Sequence, residues 1–280
     1  MMKVWAHCLV RNEARFCWFA VMSVLPFVEK VLLWDTGSTD STVEILKEIK
    51  RREKSKVDLN FVGKISAEEF ALVRQAMFDV TLSDWFLVVD GDEVWWDRSV
   101  EKVIRLIGQR GDEMEAVVVP TYNLVGDVFH YQEEAAGRYR LAGRLGQLSL
   151  RGVNRRIPGL ASAGAHGVWG WVDGSGKMIQ DREKERIVYA KAPYLHATHL
   201  LRAGSGGGEA EVPKRKGKLK YELGVEFSRD FYYPEVFFRG RPAIVETPWV
   251  KMNSGYKVRA LFATPLRKIK RRVWKKGVGY

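Results

Sequence analysis

The chain has 280 residues but only two cysteines, Cys8 and Cys17, both in apolar surroundings. Their spacing matches no zinc motif and offers no disulfide framework, so they read as buried free thiols of a protein in a reducing cytoplasm. Long apolar runs are missing too: the longest, Phe16 to Val28, contains Pro26 and is too short to span a bilayer. No secretory apolar region precedes the first strand-like run, and no internal repeat is present. These absences predict a soluble, cytoplasmic chain or one peripheral on the inner face of a membrane. Acidic charge is the scarcer sign. With 34 Asp and Glu against 46 Lys and Arg, the net charge of +12 calls for an anionic partner: a nucleotide diphosphate, an anionic membrane surface or nucleic acid. Hydrophobic residues make up 46% of the chain, enough to exclude a disordered protein and to fill a sizeable core.

Strand and helix patterns alternate through residues 1–110. Val4–Val10 reads as a strand, Glu13–Val28 as a helix apolar on most faces, and Val31–Trp34 as a second strand. Ser41 with Glu44 spells a capping box ahead of Ile45, Leu46 and Ile49 on one helix face. Val57–Val62 is a third strand. Ser66 with Glu69 repeats the capping signature before Phe70, Val73, Met77 and Val80, and Trp85–Val89 is a fourth strand. This alternation predicts an α/β fold with a mostly parallel, Rossmann-like central sheet and helices on both faces. After Gly111 the pattern changes. Met114–Thr121 is strand-like, residues 111–202 form an irregular β-rich second half, and Val172–Lys177 reads as a hairpin turn. Residues 203–280 read as a flexible stretch, Ala203–Gly208, and a basic C-terminal extension.

Two strands run into acidic turns: Val31–Trp34 into Asp35-Thr36-Gly37-Ser38-Thr39-Asp40, and Trp85–Val89 into Asp90-Gly91-Asp92-Glu93. In an open α/β sheet, ligands bind beyond the carboxyl ends of the strands, so both loops would face one site. Two carboxylates flanking a glycine can hold a hard divalent cation beside substrate phosphates, or merely exit the strand as an acidic turn. Asp35 can accept from a nucleobase imide or ribose hydroxyls, or act as a turn carboxylate bonded to neighbouring amides. Ser38, Thr39 and Asp40 read as turn and cap residues.

In order along the chain, Cys8-Leu9-Val10-Arg11-Asn12-Glu13-Ala14, Trp34–Thr42 and Trp85–Glu93 resemble the motifs of family 2 glycosyltransferases of the GT-A fold. The resemblance spans residues 8–93. It implies transfer of a sugar from a nucleotide diphosphate sugar donor, a UDP-sugar by family habit, with inversion and with Mg²⁺ or Mn²⁺ as cofactor. It places Asp35 at the nucleobase, Asp92 on the metal, Asp90 near ribose or metal, and Arg11, Asn12 and Glu13 along the donor pocket. Phe70–Gln75 resembles a family helix where an Arg-Asn pair is usual. Arg74 is kept there, able to reach phosphate or ribose or else to stand as an exposed helical arginine, and Gln75 replaces the Asn. Family members often bring a downstream histidine to the metal, which selects His196 ahead of His199. His166 sits in a segment similar to a Trp…His-Glu segment of relatives, with Gly167 in place of the Glu, so no acid role carries over there.

Inversion needs a base on the acceptor hydroxyl. Asp173, close to Trp169 and Trp171 whose faces can bind sugar rings, is the candidate, with a hairpin-turn role as its alternative and Asp181 and Glu183 next in line. The acceptor would be a glycan or a lipid-linked glycan of the cell envelope. Lys214, Arg215, Lys216, Lys218 and Lys220 form one basic cluster. In the tail, Leu266, Ile269, Val273 and Trp274 interleave with Arg267, Lys268, Lys270, Arg271, Arg272, Lys275 and Lys276, a pattern suited to an anionic membrane surface. Two rival readings remain. A sugar-phosphate nucleotidyltransferase would want a glycine-rich loop after the first strand, which Arg11–Arg15 lacks. A basic nucleic-acid-binding module would want a recognition helix or RNA-binding signature, and none accompanies the charge clusters.

Overall fold

The computed structural model describes residues 2–203 and 218–273. Residues 204–208 of the expected flexible stretch, the basic residues Lys214, Arg215 and Lys216, and Trp274, Lys275 and Lys276 lie outside the described residues.

Strands β1 (Val4–Val10), β2 (Lys30–Asp35), β3 (Val57–Phe61) and β4 (Trp85–Val88) lie parallel in the order β4-β1-β2-β3. Their side chains alternate by face, as the period of two requires. Val4, Ala6, Cys8, Val31, Leu33, Trp85 and Leu87 enter one core with helices α1 (Cys17–Val24), α2 (Thr42–Arg52) and α4 (Asp97–Arg110). Trp5, Leu9, Leu32 and Trp34 pack on the other face against helix α3 (Phe70–Asp79). Both cysteines are buried free thiols.

The second half extends the same sheet with mixed pairing, antiparallel and parallel. After the short β5 (Glu93–Trp95) come β6 (Ala116–Val125), β7 (Asp127–Tyr131), the small hairpin β8 (Tyr139–Leu141) and β9 (Arg144–Gly146), and β10 (Leu148–Asn154). Strand β10 inserts between β4 and β6, antiparallel to both, and β7 runs antiparallel to β6. The hairpin β11 (Ala161–Ala163) and β12 (Gly170–Val172) covers the α3 side. Strand β13 (Ile187–Tyr189) runs parallel to β6, and β14 (Tyr194–His196) pairs parallel with β6 and antiparallel with β5. Strand β15 (Val225–Glu226) adds antiparallel to β7, and α5 (Ser254–Val273) closes the described chain.

Three expectations need correction. The division at residue 202 does not mark the end of the core: Phe227, Val236, Phe237 and Val245 belong to the core that holds α1, and Glu235 accepts a bond from the Asp97 amide at the start of α4 (2.9 Å). Helix α1 starts at Cys17 rather than Glu13: the chain before it is a turn, with the Phe16 amide on the Glu13 carbonyl (3.0 Å) and Phe16 itself off helical geometry at φ −122°, and the Asn12, Glu13 and Ala14 amides tie that turn to Ser38 (2.9 Å), Thr42 (2.8 Å) and Asp40 (3.3 Å). The Ser41–Glu44 box does not form, since the Ser41 side chain caps nothing. Asp40 does that work, accepting the Thr42 amide at 3.0 Å and the Thr42 hydroxyl. The Ser66–Glu69 box is reciprocal as expected, with bonds of 2.7 and 3.2 Å.

Asp40 therefore caps α2 and ties the β1–α1 loop to it. Asp40→Ala should lower unfolding free energy by about 1–3 kcal/mol, a lost cap plus buried donors left unpaired, whereas Ser41→Ala should stay within about 0.5 kcal/mol of wild type. Urea denaturation of both variants checks this, and equal losses would contradict it.

Candidate active site

Strands β2 and β3 lie on one side of β1 and β4 on the other, so the strand order reverses between β1 and β4. Loops leaving the two carboxyl ends separate there and open a crevice. A cleft of about 670 Å³ occupies this place, lined among others by Arg11, Glu13, Thr36, Arg74, Asp90, Asp92, His166, Trp169 and His196.

Arg11 follows directly on β1. It is 9% exposed, and its Nη1 donates to the Ile65 carbonyl at 3.3 Å, while Nε and Nη2 are buried without a hydrogen-bond partner. Arg74, on the inward face of α3, donates to Asp90 at 2.9 Å, and its Nε and Nη1 are likewise buried and unmet. Its guanidinium lies 5.0 Å from the Trp169 ring centre and 5.3 Å from that of Phe70. The neighbouring Gln75 bonds Asp79 and the Ser162 amide, so its place in the helix is structural.

Asp90 is held from two sides. Arg74 takes Oδ1, and Arg151 takes Oδ2 at 3.2 Å. Burial opposes its charge, but Arg151 and Arg74 prevail and keep the carboxyl below its ordinary range. Asp92 is buried. Its Oδ2 accepts from Arg202 at 3.1 Å and its Oδ1 lies 3.6 Å from His196 Nε2. Burial again works against ionisation, and Arg202 and His196 pull the carboxyl well below the carboxylate range. Arg202 also pairs with Glu13. Glu93, fully buried, accepts from Arg151 and from the Tyr194 hydroxyl (2.7 Å), and burial pushes its carboxyl up to about 7.

Register explains the convergence. His196 on β14 stands opposite Glu93 on β5, and the Ala197 amide donates to the Asp92 carbonyl at 2.8 Å. On β10 the pairing with β6 slips between Leu150 and Gly152, which makes Arg151 the bulged residue and re-aims its side chain at Asp90 and Glu93. A charged residue within Leu148-Ser149-Leu150-Arg151-Gly152-Val153 is a signal that could have been read, since arginine is rarely buried in a strand without a carboxylate partner. Arg202 carries no such signal.

Other expected site residues sit differently. Asp35 takes its turn role: it is 2% exposed, accepts the Gly37 and Ser38 amides at 2.9 and 3.0 Å and the Ser38 hydroxyl, and Thr36 lines the cleft in its place. Asn12, with a left-handed φ of 51°, accepts the Thr39 amide at 2.7 Å and laces the two loops together rather than facing the cleft. Asp173 also takes its turn role. Its carboxylate accepts from the Ser175 amide and hydroxyl (2.9 and 2.6 Å), the Lys177 amide (3.1 Å) and Arg182, and these donors, Ser175 first, hold it far below a base's range. It does not line the cleft, nor do the exposed Asp181 and Glu183. Trp171 is core, packed on Phe86, whereas Trp169 lines the cleft.

The expected three-ligand metal cluster is corrected as well. Both Asp90 oxygens face guanidinium groups, and among the described residues no three His, Cys, Asp or Glu side chains converge as a metal cage. The Asp92–His196 pair remains, one oxygen and one nitrogen donor on the cleft wall. That set suits a cation completed by diphosphate oxygens and water.

The glycosyl transferase family 2 profile matches residues 10–167, which contain most of this site. An uncharacterized glycosyltransferase of Rickettsia felis is 32% identical over 93 residues, 33% of this chain, and the match spans only 30% of that relative's length. Among solved structures, Staphylococcus aureus TarS 1–349 superposes with a TM-score of 0.46 at 12% identity, covering 70% of this chain and 61% of TarS. Glucosyl-3-phosphoglycerate synthase from Mycobacterium tuberculosis gives 0.46 at 15% identity, covering 78% and 77%. The profile match covers more than half of the chain and includes both acidic turns: this protein belongs to glycosyl transferase family 2.

Proposed function

We propose that this glycosyltransferase takes a nucleoside diphosphate sugar, a UDP-sugar, and passes the sugar to a hydroxyl of a glycan or lipid-linked glycan with inversion and with metal assistance. Family membership sets aside the nucleotidyltransferase and nucleic-acid readings. One observation carries the donor assignment: buried, unmet N–H groups of Arg11 and Arg74 line the same cleft as Asp90 and Asp92. A buried donor without an acceptor costs about 1–3 kcal/mol, and such a cost is tolerated where a ligand supplies the acceptor. Diphosphate and ribose oxygens are acceptors of the right kind. Asp35 supports this end indirectly, by fixing the turn that presents Thr36.

Asp92 and His196 would hold a Mg²⁺ or Mn²⁺ ion, which when bound neutralises charge on the departing diphosphate. Asp90, clamped by Arg74 and Arg151, would position the donor rather than the metal. The acceptor oxygen attacks the anomeric carbon as the bond from that carbon to the diphosphate oxygen breaks. The nucleoside diphosphate leaves with the electron pair, and the hydroxyl proton passes to a base. With Asp173 withdrawn and the cleft carboxylates paired with arginines, imidazole is the side chain with suitable proton affinity. His166, edge-on to Phe70 at 4.9 Å and close in sequence to Trp169, lies among the aromatic faces that would seat a sugar, and is our choice for that base. Arg138, Lys218 and Lys220 line the same cleft and favour an acceptor bearing phosphate or carboxylate; burial, then Arg271, hold Lys220 down at about 8.

Two experiments test this. Arg11→Ala should weaken UDP binding by about 1–3 kcal/mol in calorimetry, the worth of a hydrogen bond from a charged donor; unchanged affinity in a folded variant would move the donor elsewhere. His166→Ala should leave UDP affinity intact while kcat falls by about 10²–10⁴, and Asp173→Asn should lower stability with kcat little changed. The reverse pattern would restore Asp173 as the base.

A further inference from the structure

Helix α5 carries two opposed faces. One is docked: Ala260 and Thr264 are buried, the Thr264 hydroxyl accepts the Leu223 amide at 3.0 Å, Arg267 donates to the Tyr221 carbonyl at 3.3 Å, and Arg271 pairs with Glu222 and Glu133. The Tyr256 hydroxyl reaches the carbonyl of Lys220, a residue of the cleft wall. The helix is thus fastened to the segment that lines the cleft.

The opposite face is apolar and exposed. Val258, Phe262, Leu266, Ile269 and Val273 are 59%, 73%, 71%, 59% and 74% exposed, and Leu261 adds 60% at its margin. At about 100° per residue the first five fall within an arc of about 80°. Lys257 and Lys268 flank this arc on one side, Arg259 and Lys270 on the other, with Arg272 between the arc and the first pair. No Asp or Glu follows Glu246 anywhere in the chain. An apolar stripe with an all-cationic border is complementary to the apolar interior and anionic headgroups of a bilayer surface. A second copy would bring cation against cation, which disfavours a symmetric pairing of this face.

We infer that the Val258–Val273 face of α5 seats this protein on an anionic lipid bilayer and thereby sets the Lys218–Lys220 wall of the cleft close to the membrane surface. This docking does not depend on the identity of the donor. No helix among the described residues is long and apolar enough to cross a membrane, so the contact is interfacial.

The test is sedimentation of the full chain with vesicles of phosphatidylcholine alone and with vesicles containing phosphatidylglycerol. The wild type should partition onto the anionic vesicles and come off as salt is raised. Phe262→Glu with Ile269→Glu should lower that partition by at least about tenfold, since a carboxylate on the stripe must be desolvated and faces like charge. Lys270→Glu with Arg272→Glu, which leaves the stripe intact, should also weaken it. Leu72→Glu, an equally exposed apolar site on α3, should not. Circular dichroism and UDP binding confirm that each variant is folded. Failure of the wild type to prefer anionic vesicles, or equal partition of the Phe262/Ile269 variant, would overturn the inference. So would a wild-type dimer that the same variant dissolves without any vesicle binding, since a second copy would then cover the face.

Discussion

Three buried carboxylates, Glu13, Asp92 and Glu93, and the partly exposed Asp90 are crowded into one turn and one neighbouring loop, where three guanidinium groups meet them. Arg74 comes from α3, Arg151 from the bulge of β10, and Arg202 from the chain beyond β14. Removing one partner from such a set leaves a buried charge uncompensated, which is far costlier than the net worth of the pair. The network is therefore better seen as a device for specifying geometry than as a source of stability. It obliges parts of the chain more than 100 residues apart to end at one point.

Several features follow from that constraint. Strand β14 pairs with β5 and β6 so that His196 arrives beside Asp92, and the chain just beyond it is tied down by the Arg15 amide bonding the Arg202 carbonyl at 2.9 Å. Gly91 sits between the two aspartates with Val10 and Glu13 side-chain atoms 2.8 and 2.9 Å from where a Cβ would be, so any larger residue would press the turn away from the arginines. Arg74, together with Arg11 beyond β1, keeps buried N–H groups that no side chain or carbonyl meets.

The parallel half of the sheet was legible because its signals are local: β-branched and aromatic runs, period-two faces, and Asp/Gly/Ser clusters at strand ends. The two acidic turns were legible for the same reason. Their partners were not. Whether Arg202 reaches Asp92 depends on a register set by β14, β5 and β6 together, which no local pattern encodes, although the lone arginine in β10 was a readable hint. Asp173 misled because neighbouring tryptophans suggested a sugar platform, whereas its own Gly-Ser-Gly sequence made a turn that uses up its lone pairs. Asp40 and Ser41 compete for the same cap, and the longer, charged side chain that can also reach Ala14 wins. The second half, read as continuing the sheet, does so through β6, with which β7, β10, β13 and β14 all pair.

Under the proposed function, this charge-balanced turn binds a nucleoside diphosphate sugar through Asp92 and a divalent cation. Calorimetric titration of UDP-sugars into wild type and Asp92→Asn, each with and without Mn²⁺, tests it most directly. Mn²⁺ should tighten binding to wild type, and Asp92→Asn should lose this increment while staying folded. Metal-dependent binding of equal strength in the variant, or no binding of any nucleotide sugar by wild type, would contradict it.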